Sequence, residues 1–435
     1  MTLASTTLPK PPAAASDHLP GQRAVRSSAT CRFCKTRLEH TFVDLGMSPL
    51  CQTHIEPEQL NHMEPFYPLH AWVCHECFLV QLEQYVAPSD IFSDYAYFSS
   101  YSDSWVAHAK RYSDLVTERF GLGKRSLVME IASNDGYLLQ HFVKAGIPCL
   151  GIEPAANVAK VAVERGIPST VQFFGTASAE RIAAEFGRPD LLLGNNVLAH
   201  VPDINDFVQG MKRLLNPGGV ITMEFPHLLQ LMDQNQFDTI YHEHFSYLSA
   251  LAVSRIFRHH GLTLFDVEEI GTHGGSLRIY ARHNEDESKP VSQALLALVR
   301  REQDRGLDKV ATYGAFAEQV KETKRKLLAF LISAKQQGKK IVGYGAPGKG
   351  NTLLNYCGIR QDFLDFTVDR SPHKQGRYTP GTHIPILAPE AIREARPDLV
   401  LILPWNLKEE VMSQNAFIRE WGGRFIVPIP EIAVL

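Results

Sequence analysis

The chain has 435 residues, of which 44% are hydrophobic and 21% are charged, and its formal net charge at pH 7 is −3. This length predicts two or three domains, and the weak negative charge gives no reason to expect nucleic acid or an anionic membrane as a partner. No apolar run in the sequence reaches the roughly 20 residues that a membrane-spanning helix needs, and the N-terminus lacks the pattern of a signal peptide. We therefore expect a cytoplasmic protein that acts as a monomer.

The N-terminal part of the sequence predicts a metal site. Residues 1–28 are rich in Ala, Pro, Ser and Thr without a hydrophobic period, which predicts a disordered leader. Two CxxC pairs follow, formed by Cys31, Cys34, Cys74 and Cys77. Because each pair can bring two thiolates to one tetrahedral ion, they predict a closed, structural zinc site in an N-terminal domain of residues 29–90. Cys51, His54 and His75 are alternative ligands, although none of them belongs to a pair.

The next predicted unit is a parallel sheet covered by helices. Its predicted strands are 127–131, 148–153, 190–193 and 220–225, and its predicted helices are 106–120, 157–166, 177–186 and 204–215. Strands that alternate with helices indicate an α/β fold with a parallel sheet. Two further strands, 262–270 and 276–282, are predicted to form the hairpin that closes this sheet. These elements make up a central domain of residues 91–285.

A small-residue turn after the first of these strands predicts a ligand site, because such a turn leaves backbone N–H groups and a helix N-terminus facing a crevice. The second strand ends in Glu153, near the spacing at which a dinucleotide fold presents an acid to a ribose. The turn offers Ala132, Asn134 and Gly136 in place of the pattern GxGxxG, with Glu130 at the end of the strand. It resembles the first motif of class I methyltransferases, which holds S-adenosylmethionine. Similar turns also occur in α/β proteins that bind nothing there. The predicted cofactor-binding residues are Ala132, Ser133, Asp135, Gly136, Glu153, Asn195 and Asn196.

A second α/β unit is predicted beyond a long helical stretch, 291–337, and completes a C-terminal domain of residues 286–435. It contains a strand from Lys340, a glycine-rich loop over 345–351 and a helix from Thr352, with further strands at 366–369 and 399–403. The loop is not a Walker A motif, because its lysine is followed by glycine rather than by Ser or Thr. Its glycines and lysine still predict binding of a pyrophosphate group, with a tight structural turn as the alternative.

The sequence Tyr241-His242-Glu243-His244 lies beyond the last predicted parallel strand, on the side of the sheet where the cofactor turn also points. The zincin motif HExxH is absent, because only one residue separates the two histidines, so this segment does not predict a zinc protease site. A neutral imidazole suits a general base, and a neighbouring carboxylate can fix its tautomer. We expect His242 to be a surface or core residue, whereas His200 follows another parallel strand and faces the same crevice.

Taken together, these parts resemble a family of S-adenosylmethionine-dependent sugar C-methyltransferases that act on nucleotide-linked keto-deoxysugars. The resemblance covers about residue 30 to the end of the chain. It rests on the joint occurrence of CRFC with CHEC, DYAYFSSYS, EIASNDG, GNNVLAHVPD, YHEH and GYGAPGKGN. It implies an N-terminal domain with structural zinc, a central class I methyltransferase domain of Rossmann-like α/β fold, and a C-terminal Rossmann-like α/β domain that holds the nucleotide diphosphate. Thymidine diphosphate is the commonest nucleotide in the family.

The resemblance also implies roles for individual residues. The implied catalytic residues are Tyr95, His200, Tyr241, Glu243 and His244, and His244 is the base that removes a proton beside the ketone. The choice of Tyr95 over Tyr97 is open, since both lie in one aromatic loop. We assign substrate binding to Tyr344, Gly345, Lys349 and Asn351. Two alternatives remain: an O- or N-methyltransferase acting on a small molecule, and a non-catalytic, nucleotide-binding zinc scaffold.

Overall fold

The computed structural model describes residues 29–87 and 98–435. Within these two ranges the strands form three sheets, of four, seven and six strands. None of the helices in the same ranges is both long and apolar enough to cross a membrane. The predicted leader, residues 1–28, lies outside the described residues.

The sheet of the N-terminal domain is antiparallel and recruits a strand from the central domain. Its strands are β1 (His40–Ser48), β2 (Tyr67–Val73), β3 (Val80–Leu82) and β9 (Ser246–Tyr247), in the order β1-β2-β3-β9. The last of these follows directly on the Tyr241–His244 cluster and pairs with β3 through Val80 and Tyr247. The segment that follows the predicted catalytic cluster is therefore hydrogen-bonded into the sheet of the N-terminal domain.

The central domain contains the predicted sheet, in the order β10-β11-β8-β7-β4-β5-β6. The strands are β4 (Val128–Ile131), β5 (Cys149–Glu153), β6 (Ser169–Val171), β7 (Leu191–Asn195), β8 (Val220–Pro226), β10 (Leu262–Ile270) and β11 (Ser276–His283). The helices are α1 (Asp103–Phe120), α2 (Leu139–Lys144), α3 (Ala156–Glu164), α4 (Thr176–Phe186), α5 (Ile204–Leu214), α6 (Leu228–Asp233) and α7 (Ala250–His259). The strand β11 is antiparallel to both of its neighbours, and the other pairings in the sheet are parallel. The strand β4 is buried along its whole length, as its apolar sequence predicts.

The C-terminal domain begins with the predicted helical stretch and continues as a second, mostly parallel sheet. Its helices are α8 (Gln293–Asp304), α9 (Val310–Gly314), α10 (Phe316–Gln336), α11 (Gly348–Cys357), α12 (Ala391–Ala395) and α13 (Lys408–Gln414). Its strands are β12 (Ile341–Tyr344), β13 (Thr367–Val368), β14 (Ile386–Leu387), β15 (Leu399–Ile402), β16 (Arg424–Val427) and β17 (Ala433–Val434), in the order β14-β13-β12-β15-β16-β17. The strand order reverses between β12 and β15, which places a crevice at the carboxyl ends of these strands.

The helix α11 begins earlier than the sequence predicts. We expected a loop over 345–351 and a helix from Thr352, but the helix starts at Gly348, with Pro347 as its N-cap residue. The two glycines of its first turn are explained by packing. A Cβ atom at Gly348 would lie 3.0 Å from the sulfur of Cys51, and one at Gly350 would lie 3.0 Å from the Cβ atom of Leu403. Close approach of the N-terminal domain at Gly348, and of the segment after β15 at Gly350, accounts for these glycines.

The N-terminal domain packs between the two α/β domains. The side chain of Phe42 in β1 stacks on Phe316 of α10, with ring centroids 4.7 Å apart, and belongs to the same hydrophobic core as the C-terminal sheet. On the other side, Cys31 and Trp72 share a core with Phe207 of the central domain. The N-terminal domain thus buries apolar side chains against both α/β domains, and the three domains meet around one central space.

Candidate active site

A cavity of about 710 Å³ lies where the three domains meet. Its lining includes residues that we predicted for cofactor binding and catalysis, namely Ala132, Glu153, Asn195, Asn196, His200, Tyr241, Glu243 and His244. The N-terminal domain contributes Gln52, and the C-terminal domain contributes Pro347, Gly348 and Lys349. The structure thus brings the carboxyl edge of the central sheet and the start of α11 to one shared cavity.

The turn after β4 has the conformation that a close backbone approach requires. Ala132, Asn134 and Gly136 all have positive φ angles, of 57°, 50° and 78°. A Cβ atom at Gly136 would lie 2.2 Å from a methyl carbon of Ile167, so a larger residue at this position would displace the turn. Asn134 belongs to the predicted turn but not to the predicted cofactor-binding residues, and it lines the cavity together with Ala132.

The carboxylate of Glu153 is fixed by two backbone amides. It accepts hydrogen bonds from the N–H groups of Asn134 and Ala155, both at 2.9 Å. Burial raises the pKa of Glu153, and the two hydrogen bonds oppose this rise. Each carboxylate oxygen keeps a second lone pair, and Glu153 lines the cavity, so it can accept hydrogen bonds from the two hydroxyls of a ribose.

Three predicted cofactor residues, Ser133, Asp135 and Gly136, fall outside the described lining of the cavity. The carboxylate of Asp135 instead accepts hydrogen bonds from Ser100 and, at 3.0 Å, from Arg165. These contacts tie the segment that precedes α1 to the cofactor turn. A direct contact of the three residues with the cofactor stays a prediction.

The last residue of β7 and the residue that follows it form a polar wall of the cavity. The side-chain amide of Asn195 donates to the hydroxyl of Tyr137 at 3.4 Å, and that of Asn196 donates to Nε2 of His273 at 3.0 Å. Both Asn196 and His273 have positive φ angles, of 52° and 55°. His273 lines the cavity but was missed in the sequence, where only the glycine-rich turn GTHGG around it gives a signal. Such backbone strain outside glycine is concentrated at functional sites.

The ring of His244 is held as a neutral imidazole. Its Nδ1 atom donates a hydrogen bond to the carbonyl oxygen of Thr239, 2.9 Å away. A neutral imidazole has one N–H group, so this bond leaves the lone pair on Nε2. Among the described residues, no hydrogen bond reaches Nε2. The expected orienting carboxylate is therefore replaced by a backbone carbonyl.

Burial controls the protonation of the surrounding groups. It lowers the pKa of His244 well below its usual value, and the nearby His200, whose ring centroid is 4.6 Å away, lowers it further. Burial lowers the pKa of His200 to about 4 and raises that of Glu243 to about 7. The ring of Tyr241 packs on His244 with a centroid distance of 4.1 Å. Both imidazoles are therefore neutral at physiological pH, which leaves a lone pair free to accept a proton, while the lowered pKa weakens each ring as a base.

Lys349 lies in the first turn of α11 and lines the cavity. Its ammonium group donates to Asn406 at 2.8 Å and lies 4.6 Å from the ring centroid of Trp405. The indole N–H of Trp405 in turn donates to Asp238 at 2.7 Å. Burial lowers the pKa of Lys349, and the charge of Asp238 opposes this change. These contacts hold the ammonium group near the N-terminus of α11, and both the ammonium group and the helix N-terminus favour the binding of an anion.

The other predicted substrate residues, Tyr344, Gly345 and Asn351, do not belong to the described lining of this cavity. A Cβ atom at Gly345 would lie 2.6 Å from Pro404, so packing within the C-terminal domain explains this glycine. Their assignment to substrate binding stays a prediction. The same holds for Tyr95, which lies outside the described residues.

The four predicted zinc ligands form one cluster. The sulfur atoms of Cys31, Cys34, Cys74 and Cys77 all lie within 4.8 Å of one another. The two CxxC turns share one geometry. In each, the residue after the second cysteine, Lys35 or Phe78, has a positive φ angle, and its N–H donates to the carbonyl of the first cysteine. Gln81 also donates to the sulfur of Cys31 at 3.2 Å.

This arrangement fits a tetrahedral zinc ion with four thiolate ligands and no position open to water. The zinc is therefore structural. Cys51 was one of the alternative zinc ligands. It does not belong to the cluster that the described residues form, and its thiol contacts Glu243 instead.

The sheet order of the central domain, its single reversed strand and the acid at the end of β5 define a class I methyltransferase domain. Residues 31–92 match the family model "Putative zinc binding domain", residues 105–267 match "Methyltransferase domain", and residues 271–430 match "C-methyltransferase C-terminal domain". C-methyltransferase NovU of Streptomyces niveus is 36% identical over 414 residues, which cover 95% of this chain and 98% of that protein. The chain therefore belongs to the C-methyltransferase family, with S-adenosylmethionine as cofactor.

Two other similarities are confined to part of the chain. Ubiquinone biosynthesis O-methyltransferase of Xanthomonas oryzae pv. oryzae is 34% identical over 109 residues, or 24% of this chain and 45% of that protein. The magnesium protoporphyrin IX methyltransferase ChlM of Synechocystis PCC 6803 covers 40% of this chain and 82% of its own, with 13% identity and a TM-score of 0.33. Membership of an enzyme family speaks against the non-catalytic scaffold.

Proposed function

We propose that this C-methyltransferase acts on a nucleotide-diphosphate-linked keto-deoxysugar and methylates a carbon next to its ketone, C-3′ of a dTDP-4-keto sugar being our first choice. The observation that carries the proposal is the neutral His244, which keeps a lone pair on Nε2 and lines the same cavity as the cofactor turn. A C–H group beside a ketone is a carbon acid, and its deprotonation requires such a base.

A base alone does not suffice for this reaction. The proton beside a ketone is many pK units less acidic than an imidazolium ion, and each unit corresponds to about 1.4 kcal/mol. General-base catalysis contributes roughly 10²–10⁴-fold, and one donor aimed at the developing oxyanion adds about 3 kcal/mol. The site must therefore supply both a base and an oxyanion donor.

We assign the donor role to Tyr241, whose ring packs on His244 and lines the cavity. His200 is less suited, because its ring already bonds to the backbone of Glu243 and a neutral imidazole has a single N–H group. In this proposal, His244 takes the proton at Nε2 while Tyr241 donates to the enolate oxygen.

The cofactor, when bound, supplies an electrophilic sulfonium methyl group. The residues that would hold it are Glu153 at the ribose, with Ala132, Asn134 and Asn195 beside it. Lys349 and the N-terminus of α11 would hold the diphosphate. The alignment of the two ligands is then the main contribution of the protein to methyl transfer.

The test is incubation of the purified, zinc-loaded protein with isotope-labelled S-adenosylmethionine and a panel of nucleotide-linked 4-keto sugars, followed by mass spectrometry and NMR. A labelled C–CH₃ group next to the former ketone is the expected result. A labelled O–CH₃ or N–CH₃ group would replace the proposal with the alternative acceptor chemistry. Methyl transfer to another small molecule, without transfer to any sugar, would refute the assignment of a sugar as the substrate.

A further inference from the structure

We propose that Cys51 of the N-terminal domain is a positioning residue of the active site, whose thiol holds the carboxyl group of Glu243 in place. The sulfur atom lies 3.3 Å from Oε1 of Glu243, and the S–H group donates to this oxygen. The two residues are 192 positions apart in the sequence. The role of Glu243 towards a sugar rests on the proposed function, but the contact with Cys51 does not.

The contact is buried. Cys51 is 3% exposed and Glu243 is 4% exposed, so water has little access to the carboxyl oxygen that the thiol holds. Glu243 nevertheless lines the cavity. One oxygen of the carboxyl group is thus fixed by the thiol, while the side chain borders the space that the substrate would occupy.

All three domains meet at this thiol. Gly348, at the start of α11, packs so closely that a Cβ atom there would lie 3.0 Å from the sulfur and 3.7 Å from Tyr241. The next residue in the chain, Gln52, lines the cavity itself. The loop around Cys51 therefore contacts Glu243 of the central domain and the helix that carries Lys349. The N-terminal domain therefore binds zinc and also contributes the loop around Cys51 to the active site.

The thiol remains protonated and therefore remains a donor. Burial raises the pKa of Cys51 well above its usual range, and the charge of Glu243 raises it further, against a small opposing effect of Lys374. Other polar groups also surround Glu243. Tyr241 and His244 share its loop, the ring of His200 bonds to its backbone, and Lys349 of α11 lines the same cavity.

A titration of Glu243 in the zinc-loaded protein tests the proposal without any substrate. With ¹³C-labelled glutamate, NMR follows the carboxyl group, and the Glu243→Gln variant identifies its signal. Because the thiol stabilises the carboxylate, Cys51→Ala should raise the pKa of Glu243 by about 1, whereas Cys51→Ser, with a stronger donor, should lower it. Cys149→Ala removes another buried thiol, at the far end of β5, and should leave the pKa unchanged.

Opposite shifts in the Ala and Ser variants are not expected from a loss of packing, which would act in one direction. Shifts of the same sign in both variants, or shifts equal to that of Cys149→Ala, would overturn the proposal. Because the titration needs no sugar, its failure is separable from a failure of the proposed function. If the sugar is methylated, the Cys51→Ala variant should also lower kcat more than it raises KM.

A second measurement avoids replacing Cys51. With four cysteines bound to zinc as thiolates, S–H groups remain on Cys51, Cys149 and Cys357. A hydrogen bond to a carboxylate is stronger than one to a neutral carboxyl group. One S–H stretching band of the parent protein should therefore move to lower frequency as the pH rises through about 7, where Glu243 ionises. An S–H spectrum that is the same in the parent and in Glu243→Gln at every pH would contradict the proposed hydrogen bond.

Discussion

Replacing Glu243 by Gln should stabilise the folded protein increasingly as the pH rises, at the expense of catalysis. The carboxyl group is buried, which raises its pKa from 4.5 to about 7. Below pH 4.5 it is protonated in both the folded and the unfolded protein, so its burial adds no electrostatic penalty. Above this pH the unfolded chain ionises first, and stability is lost until the folded group also ionises near pH 7.

The size of the effect follows from the same shift. Each unit of pKa corresponds to about 1.4 kcal/mol, so the penalty removed by the Gln substitution is about 1 kcal/mol at pH 5.5 and about 3 kcal/mol at pH 8. The amide oxygen of Gln can still accept the hydrogen bond from Cys51. Urea unfolding of zinc-loaded parent and variant at these two pH values measures the difference. An equal gain at both pH values, or a loss at pH 8, would refute a buried carboxyl group with a raised pKa.

Three further predictions concern the base, the diphosphate site and the zinc ion. His244→Asn keeps a donor for the carbonyl of Thr239 and should lower kcat by about 10²–10⁴-fold with little change in KM. The control variant, His242→Asn, should keep most activity. Equal losses of activity in the two variants in steady-state assays would contradict the role of His244. Lys349→Met should raise KM for the nucleotide sugar by about tenfold or more, because a charge-assisted contact to phosphate is lost. Calorimetry should find an unchanged affinity of the variant for S-adenosylhomocysteine. An unchanged KM for the nucleotide sugar would place the diphosphate elsewhere. Cys34→Ser should lower both the bound zinc, measured by atomic absorption, and the melting temperature; full zinc occupancy at an unchanged melting temperature would remove this ligand from the cluster.

The regular elements that the sequence predicts are those with a local signal. The buried apolar run of β4 and the acid at the end of β5 are visible in any short window, as are the two CxxC pairs. The pairing of β9 with β3 has no such signal, because β9 is two residues long and its partner lies in another domain. The early start of α11 was missed because its glycines are required by long-range packing, of Gly348 against Cys51 and of Gly350 against Leu403, which the sequence does not display.

The same distinction applies to the active site. His244 was selected from its position beyond a parallel strand, but the Thr239 carbonyl that fixes its tautomer is a backbone group without a sequence signature. His273 reaches the cavity from the closing hairpin, and its positive φ angle is not encoded by the residue type. Cys51 was considered only as an alternative zinc ligand, because its contact with Glu243 exists only after three domains have packed together.

A crystal structure of the protein with S-adenosylhomocysteine and a nucleotide-linked 4-keto sugar tests the account most directly. It should place the carbon next to the ketone about 3–3.5 Å from Nε2 of His244, with the diphosphate at Lys349 and the ribose of the cofactor at Glu153. A sugar bound outside the cavity, or a His244 ring turned away from both ligands, would contradict the assignment of His244 as the base.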